Sequence, residues 1–264
     1  MELVIIGGGR MGEALLGGLL RAGFAGPADL AVVEPVAARR AELADRFPGV
    51  LVAEQPVAAA GSVVAVKPLD VPVACAAIGR VAGGAGSRVL SIAAGVTLAT
   101  LESLLPAGTP VVRSMPNAAA VLGAGAAAVA GGSGAGADDV AWARSVLGSV
   151  GEVVEVPETL LDAVTGLSGS GPAYLFLVAE AMVEGGVLAG LPRDVSLRLA
   201  TATLVGSARL LAESGETAEA LRAQVTSPGG TTAAGLRVLE AAGVRSAFIE
   251  AVAAATERAR QLGG

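Results

Sequence analysis

The N-terminal segment constrains the fold more than any other stretch, because an apolar run passes directly into a glycine-rich turn and then a helical pattern. The run Leu3–Ile6 predicts a buried strand, and the next glycines have the spacing Gly7-x-Gly9-x-x-Gly12. In such a unit one glycine forms the tight turn, one admits a pyrophosphate to the backbone, and one lets helix and strand pack closely. The helix N-terminus would then supply free N–H groups to the anion. The segment predicts a dinucleotide-binding βαβ unit.

Glycine accounts for 38 of the 264 residues, so this spacing carries little weight without its context. A second strand, 30–34, ends at Glu34, and an acidic residue about 20 positions beyond the turn holds the ribose hydroxyls in units of this kind. A carboxylate there favours NADH because it repels the 2′-phosphate of NADPH, whereas Arg39 or Arg40 folding back would bind that phosphate. Both alternatives stay open, as does the interpretation of Glu34 as a solvated strand end.

Composition excludes several classes of protein. Hydrophobic residues make up 53% of the chain but aromatic residues only 2%, so the core must consist of Ala, Val and Leu. A net charge of −6 without a Lys/Arg cluster argues against nucleic acid or an anionic membrane as the partner. One cysteine, Cys75, and no histidine exclude a disulfide framework and nearly every common zinc or non-haem iron site. Without a leader-like start, the chain is expected to be cytoplasmic.

Strand and helix patterns alternate through the first half of the chain, which predicts a parallel, doubly wound sheet. The strand 62–66 has almost no polar residue and precedes Lys67-Pro68, so a lysine stands at the carboxyl edge of the sheet, where ligands bind. The strand 110–113 likewise leads into Ser114-Met115-Pro116-Asn117. The Gly/Ala-rich stretch 123–137 is either a linker or a strand over 125–130 followed by a helix, and we favour the strand. A last strand is predicted over 150–156.

From residue 157 onward the pattern is helical, which predicts two domains, 1–156 and 157–264. The helix 173–190 is apolar around nearly its whole circumference and has only Glu180 and Glu184 as charged residues. These central charges argue against a membrane span, because charges there are costly in lipid. A helical half of this size and polarity more readily completes its core against a second copy, so we predict a homodimer.

A second glycine turn lies in the helical half, in Ser227-Pro228-Gly229-Gly230-Thr231-Thr232. Two adjacent glycines opening a helix leave backbone N–H groups pointing outward, and two hydroxyls follow in the first helical turn. This pattern predicts an anion nest suited to a carboxylate, with Ser227, Thr231 and Thr232 as hydroxyl partners. An ordinary capped helix start is the alternative.

Five motifs together resemble the Δ1-pyrroline-5-carboxylate reductase family, over essentially the whole chain. They are Gly7-Gly8-Gly9-Arg10-Met11-Gly12, Val66-Lys67-Pro68, Arg113-Ser114-Met115-Pro116-Asn117, Ser168-Gly169-Ser170-Gly171-Pro172-Ala173-Tyr174 and Val225-Thr226-Ser227-Pro228-Gly229-Gly230-Thr231-Thr232. The resemblance implies a Rossmann-type domain, a helical domain that dimerises by interleaving, and dimers that often assemble into a decamer. The implied substrate is a cyclic imine carrying a carboxylate, and the implied cofactor is NADPH or NADH, with no metal.

The resemblance also implies roles for individual residues. The substrate-binding set is Ser227, Gly229, Gly230, Thr231, Thr232, Met115 and Thr165. The cofactor-binding set is Gly7, Gly9, Arg10, Met11 and Gly12 for the pyrophosphate, Glu34 for the ribose, and Ala65, Val66, Lys67, Pro68 and Ala93 for the nicotinamide side. Thr232 and Lys67 are the implied catalytic residues. Members that prefer NADPH usually carry Ser, Asn, Thr or Arg near position 34, where this chain has Glu34-Pro35.

The residues and the resemblance agree on hydride transfer from a reduced nicotinamide to an imine carbon. A protonated imine is already electrophilic, so a chain without histidine need only fix the carboxylate, align the ring and offer a hydroxyl to the nitrogen. A dehydrogenase acting on a hydroxy acid would usually need a Lys or His in its helical half, and this chain has neither there. A nucleotide sensor would have no use for the second nest.

Overall fold

The structure, a computed structural model, describes residues 1–81 and 87–263. Its centre is one eight-stranded sheet. The strands are β1 (Leu3–Ile6), β2 (Leu30–Val33), β3 (Leu51–Ala53), β4 (Gly61–Val64), β5 (Arg88–Ser91), β6 (Val111–Pro116), β7 (Gly125–Gly131) and β8 (Gly151–Glu155). The helices are α1 (Arg10–Arg21), α2 (Ala37–Arg46), α3 (Val71–Val81), α4 (Leu98–Leu104), α5 (Ala137–Gly148), α6 (Leu161–Val164), α7 (Gly171–Leu188), α8 (Arg193–Glu213), α9 (Ala218–Gln224), α10 (Thr231–Ala241) and α11 (Val244–Gly263).

The strand order is β3-β2-β1-β4-β5-β6-β7-β8, and its first six strands have the dinucleotide-binding order. The order reverses at β1, where Ile6 lies between Val33 of β2 and Val64 of β4. Ligands of open α/β sheets bind beyond the carboxyl ends of strands at such a switch point. The glycine turn after β1 therefore lies where a dinucleotide is expected.

The predicted parallel, doubly wound sheet is confirmed except at one pair of strands. β6 and β7 pair in antiparallel fashion, with Ser114 opposite Val129. Their connection contains only a short 3-10 turn (Ala118–Leu122) and no crossover helix, so the chain reverses direction there. The strand favoured within the Gly/Ala-rich stretch is confirmed as β7, which β8 joins in parallel.

Helices cover both faces of the sheet and produce two cores. On one face α1 contributes Leu15, Leu16 and Leu19, all fully buried, and packs with residues of α2 and α5. On the other face Cys75 of α3 and Leu101 of α4 are buried beside residues of the strands. Each fully buried Leu contributes about 1.5–3 kcal/mol, so these leucine positions on α1 help to fix the helix that follows the glycine turn.

The chain divides by internal contacts into two compact units. One comprises Met1–Ser170 together with the residues from Ala253 onward, and the other comprises Gly171–Val252. Contacts therefore group 157–170 with the sheet, whereas the sequence placed the boundary after residue 156. The reason is local: Leu161 is fully buried in the second core, and Glu158 forms an ion pair with Arg113 of β6 at 2.8 Å.

The second unit exposes much of its apolar surface in the single chain. In α7 only Val183 is buried, and Phe176 and Leu177 are 67% and 66% exposed. The segments Glu158–Leu188 and Arg193–Glu213 are long and apolar enough to cross a membrane by length and composition. The burial predicted for the helix 173–190 is thus absent within one chain, which leaves these helix faces available to a second copy.

Candidate functional site

The glycines at positions 7, 9 and 12 of the N-terminal turn differ in what a side chain would meet there. Gly7 has φ +113°, in the region that favours glycine, and a Cβ there would lie 2.7 Å from the carbonyl oxygen of Ala65. A Cβ on Gly12 would overlap the carbonyl oxygen of Gly7, so this glycine allows α1 to pack against the turn. A Cβ on Gly9 would meet nothing within 4 Å. The space beside Gly9 is open, and this is the position predicted to admit a pyrophosphate.

The start of α1 provides the anion-binding groups of this turn. Gly9 is the N-cap residue, and its carbonyl accepts from the N–H of Glu13 at 2.9 Å. The first-turn N–H groups have no partner within a helix, so those of Arg10 and Met11 are suited to a phosphate. Arg10 is exposed, whereas Met11 packs on the core. This cradle fits the dinucleotide pyrophosphate predicted from the sequence.

Glu34 lies directly beside the glycine turn. Its Oε2 accepts from the backbone N–H of Gly8 at 3.2 Å, and its Oε1 accepts from the N–H of Val36 at 3.0 Å. Gly8 was not assigned a role from the sequence, yet a Cβ there would lie 2.5 Å from Cδ1 of Leu43. Gly8 is visible in the sequence as the middle one of three consecutive glycines, but the side chain that requires a glycine there belongs to a helix over 30 residues away.

Two arginines of α2 surround this corner and are engaged with protein groups. Arg39 Nε donates to the Gly8 carbonyl at 2.9 Å, and its other nitrogens pair with Glu42 and Glu13. The hydrogen bond to Glu42, and next that to Glu13, raises the pKa of the Arg39 guanidinium. Arg40 Nη1 donates to the carbonyls of Glu34 and Pro35, at 2.9 and 2.8 Å.

The predicted nicotinamide side is the edge formed by the carboxyl ends of β4 and β5. Ala65 and Val66 are half-buried, and Lys67 and Pro68 are exposed where the chain leaves the sheet. Ala93 is 3% exposed, and its N–H donates to Ser91 Oγ at 3.3 Å. Since β4 and β5 are adjacent and parallel, the structure brings these predicted residues to one edge of the sheet.

The predicted substrate residues Met115 and Thr165 share one neighbour, Gly169. A Cβ on Gly169 would lie 2.9 Å from Met115 Cε and 3.6 Å from Thr165 Cγ2. Thr165–Gly169 forms a single π-helical turn, closed by the N–H of Ser170 donating to the Thr165 carbonyl at 2.8 Å. Turns of this kind are frequent at functional sites.

Asn117 joins this π turn to the sheet. Its Nδ2 donates to the Ser168 carbonyl at 3.1 Å, and its Oδ1 accepts from the N–H groups of Ala119 and Ala126, each at 3.2 Å. Asn117 belongs to the motif Arg113-Ser114-Met115-Pro116-Asn117, but no role for it was predicted from the sequence. Its position directly after a strand, at the carboxyl edge, was the available signal.

The second nest lies in the other unit and has the predicted local form. Gly229 has φ +70°, and the Gly230 N–H donates to the Ser227 carbonyl at 3.0 Å, which closes a turn before α10 begins at Thr231. Ser227 and Thr231 are exposed and Thr232 is half-buried. Within the described residues, the hydroxyls of Ser227, Thr231 and Thr232 have no hydrogen-bond partner, so they are available to a ligand.

The described residues contain no group of three or more His, Cys, Asp or Glu side chains able to hold a metal ion. The acidic residues near the glycine turn are instead neutralised by arginines, as in the Glu13 pairs with Arg39 and Arg46.

Comparison with protein families gives two matches. Residues 158–262 match a family model described as pyrroline-5-carboxylate reductase dimerisation. Residues 2–95 match one described as NADP oxidoreductase, coenzyme F420-dependent. A curated pyrroline-5-carboxylate reductase from Synechocystis sp. is 44% identical over 264 residues, covering 100% of this chain and 98% of the relative.

Solved structures of pyrroline-5-carboxylate reductases are also similar to this chain. A pyrroline-5-carboxylate reductase from Coxiella burnetii superposes with a TM-score of 0.94 at 32% identity, covering 100% of this chain and 98% of that one. A pyrroline carboxylate reductase from Plasmodium falciparum, solved with NADP bound, superposes with a TM-score of 0.85 at 26% identity, with the same coverage.

Proposed function

This chain belongs to the pyrroline-5-carboxylate reductase family, and from that premise we propose that it reduces Δ1-pyrroline-5-carboxylate to L-proline with NADH or NADPH. This reaction is the last step of proline biosynthesis. The observation that carries the proposal is the presence of two separate anion-binding turns, one at Gly9 and one at Gly229–Gly230, each at the start of a helix. The first suits a pyrophosphate and the second a carboxylate.

The residues of the second turn bind and orient the imine in this proposal. The N–H of Gly229 and the first-turn N–H groups of Thr231 and Thr232, with the hydroxyls of Ser227 and Thr231, hold the substrate carboxylate, whereas the N–H of Gly230 is engaged by the Ser227 carbonyl. Thr232, half-buried in the first turn of α10, offers its hydroxyl to the ring nitrogen. Holding the ring in one orientation contributes through proximity, and a protonated imine needs no further strong acid.

The dinucleotide, when bound, supplies the hydride. Gly7, Gly9 and Gly12 admit its pyrophosphate to the N-terminus of α1, and Arg10 and Met11 present the first-turn N–H groups. The sheet edge from Ala65 to Pro68, with Ala93, forms the nicotinamide side. Lys67 is exposed at that edge, where its positive charge favours the approach of a carboxylate. Met115 and Thr165 complete the proposed substrate set. No step of the proposal uses a metal.

Self-association covers the exposed apolar faces of α7 and α8 in this proposal. The match of residues 158–262 to the dimerisation model supports a homodimer, and we extend this to a decamer built from dimers. A net charge of −6 and the central Glu180 and Glu184 favour a second copy over nucleic acid or a membrane as the partner. We place the enzyme in the cytoplasm.

The proposal is tested by mixing purified protein with Δ1-pyrroline-5-carboxylate and reduced dinucleotide, while nicotinamide absorbance is followed and proline is identified chromatographically. Loss of absorbance matched by proline formation supports the proposal. Dinucleotide binding without loss of absorbance or proline formation contradicts it and favours a sensor.

A further inference from the structure

We infer that this chain selects NADH over NADPH through the carboxylate of Glu34, and that Arg39 and Arg40 do not serve as ligands of a 2′-phosphate. The inference rests on the proposed function, because it concerns the dinucleotide used in that reaction. It decides between the two alternatives that the sequence left open.

The Glu34 carboxylate is fixed in place by two backbone N–H groups. One belongs to Gly8 of the glycine turn at 3.2 Å and the other to Val36 at 3.0 Å, immediately before α2. A carboxylate beside this turn accepts hydrogen bonds from ribose hydroxyls. It repels a phosphate, because both groups are anionic and neither donates.

Rotation of Glu34 away from this corner is unfavourable. It would leave the partly buried N–H of Gly8 without its carboxylate acceptor, and an unsatisfied donor is costly where it is shielded from water, whereas the exposed N–H of Val36 would bind water instead. The next residue, Pro35, has no N–H to offer a phosphate in place of the carboxylate. The backbone at this strand end therefore does not supply an alternative anion site.

Arg39 has its donors directed at the protein. Its Nε donates to the Gly8 carbonyl at 2.9 Å, Nη1 to Glu42 at 2.8 Å, and Nη2 pairs with Glu13. The side chain is 26% exposed. Its hydrogen bonds to Glu42 and Glu13 raise the pKa of the guanidinium, as expected for a cation that is already paired with carboxylates. Binding a phosphate would require Arg39 to give up these partners.

Arg40 is held on the backbone carbonyls of the strand end. Its Nη1 donates to the carbonyls of Glu34 and Pro35, at 2.9 and 2.8 Å, and its Nη2 donates to Glu54 at 3.2 Å. These bonds account for both terminal nitrogens of the guanidinium.

The charges around the ribose position do not favour an added phosphate. Arg39 and Arg40 are already paired with the carboxylates of Glu13, Glu42 and Glu54. Within the described residues the Glu34 carboxylate accepts from backbone N–H groups and has no ion-pair partner, so a phosphate dianion beside it would meet an uncompensated negative charge.

The experiment compares NADH and NADPH by direct binding and by turnover. Dissociation constants are measured from the fluorescence of each reduced dinucleotide, and kcat/KM is measured with Δ1-pyrroline-5-carboxylate. The native chain is expected to favour NADH at least tenfold in both. Glu34→Gln keeps the size of the side chain and removes its charge, so the NADH/NADPH ratio should fall at least tenfold. Asp45→Asn, which removes an exposed charge elsewhere on α2, should leave the ratio unchanged.

Arg39→Met and Arg40→Met provide the second arm. Neither is expected to weaken NADPH relative to NADH by more than about twofold. Equal or better use of NADPH by the native chain overturns the inference, and so does an unchanged ratio in Glu34→Gln or a selective loss of NADPH in either arginine variant. NADH-selective binding without turnover would contradict the proposed function alone, whereas turnover without selectivity would contradict the inference alone.

Discussion

The side-chain amide of Asn117 donates to the carbonyl oxygen of Ser168 at 3.1 Å, across 51 positions of sequence. The bond attaches the π turn at Thr165–Gly169 to the carboxyl edge of the sheet, where the Met115 side chain occupies the space that a Cβ on Gly169 would need. Two motifs that are far apart in the chain thus form one structure. The contact gives Asn117 a positioning role toward the proposed substrate residues.

Two replacements of Asn117 distinguish its role in positioning the π turn from its role in stabilising the fold. Asn117→Asp keeps an oxygen for the N–H groups of Ala119 and Ala126, but it replaces the donor to Ser168 by a carboxylate oxygen that the Ser168 carbonyl repels. We expect a raised KM for Δ1-pyrroline-5-carboxylate with unchanged dinucleotide affinity, measured by steady-state kinetics and fluorescence titration. Asn117→Ala loses all three bonds and should lower the free energy of unfolding by about 1–3 kcal/mol. An Asp variant with native kinetics would remove the positioning role.

The glycines at positions 9 and 12 should respond differently to alanine. Gly12→Ala places a Cβ onto the carbonyl oxygen of Gly7 and should lower the free energy of unfolding by about 1–3 kcal/mol. Gly9→Ala meets no protein atom within 4 Å, so the fold should keep its stability while dinucleotide affinity falls about tenfold or more. Thermal unfolding and fluorescence titration measure the two effects. Equal destabilisation by both changes would contradict this account of the turn.

Thr232→Val tests the hydroxyl proposed to contact the ring nitrogen. Removing one hydrogen-bond donor from such a site should lower kcat by roughly 10²-fold, with dinucleotide affinity unchanged. Thr232→Ser, which restores the hydroxyl, should recover most of the activity. The role would be wrong if the valine variant kept native turnover.

Self-association should depend on the apolar face of α7. Phe176 is 67% exposed in the single chain, so Phe176→Glu should place a charge in the proposed interface and yield monomers in light scattering. Val73→Glu, at a residue 71% exposed on α3 in the other unit, is the matched control and should remain dimeric. A dimeric Phe176→Glu protein would place the interface elsewhere.

Cys75 should be inert in the folded protein. Burial raises the pKa of its thiol to about 11, so the thiolate is scarce near neutral pH and reagents cannot reach it. We expect no labelling by a thiol reagent at neutral pH before unfolding, and one thiol per chain after it. Rapid labelling of the native protein would contradict this.

The raised pKa of Cys75 also makes the free energy of unfolding depend on pH. The folded state holds the Cys75 proton more tightly than the unfolded state. Its contribution to the free energy of unfolding is therefore full below the thiol pKa of the unfolded chain, and it is lost as the pH rises toward about 11. The loss should be about 2–3 kcal/mol in chemical denaturation. Cys75→Ala should flatten the dependence over that interval, and an equally steep decline in this variant would assign it to other groups.

Local chemistry made much of the fold predictable from the sequence. The apolar run before Gly7 and the hydrophobic spacing after Gly12 fixed β1 and α1, because each depends on neighbouring residues. The Gly/Ala-rich stretch was assigned correctly as β7, yet its antiparallel direction was missed, since pairing direction depends on how the connection travels in space. The helix α3 received no assignment, because its run of Ala and Val lacks a polar face that would set a period.

Only the parts of the candidate site that lie within one continuous motif could be predicted from the sequence. The glycine turn and the Ser227–Thr232 nest are contiguous in sequence, so their local form could be expected. The hydrogen bond from Gly8 to Glu34 joins residues 26 positions apart, and that from Asn117 to Ser168 joins residues 51 apart. The ion pair between Arg39 and Glu13 also joins residues 26 positions apart. Such contacts depend on tertiary structure.

Hydride transfer from the reduced dinucleotide to the imine carbon is tested most directly by an isotopic label on the hydride. Reduced dinucleotide carrying deuterium at the transferable position of the nicotinamide, prepared as both stereoisomers, is incubated with the enzyme and Δ1-pyrroline-5-carboxylate, and the proline is analysed by mass spectrometry and NMR. Hydride transfer to the imine predicts one deuterium per proline at the former imine carbon, from one of the two stereoisomers only. Unlabelled proline from both stereoisomers, or no proline at all, would contradict hydride transfer to the imine.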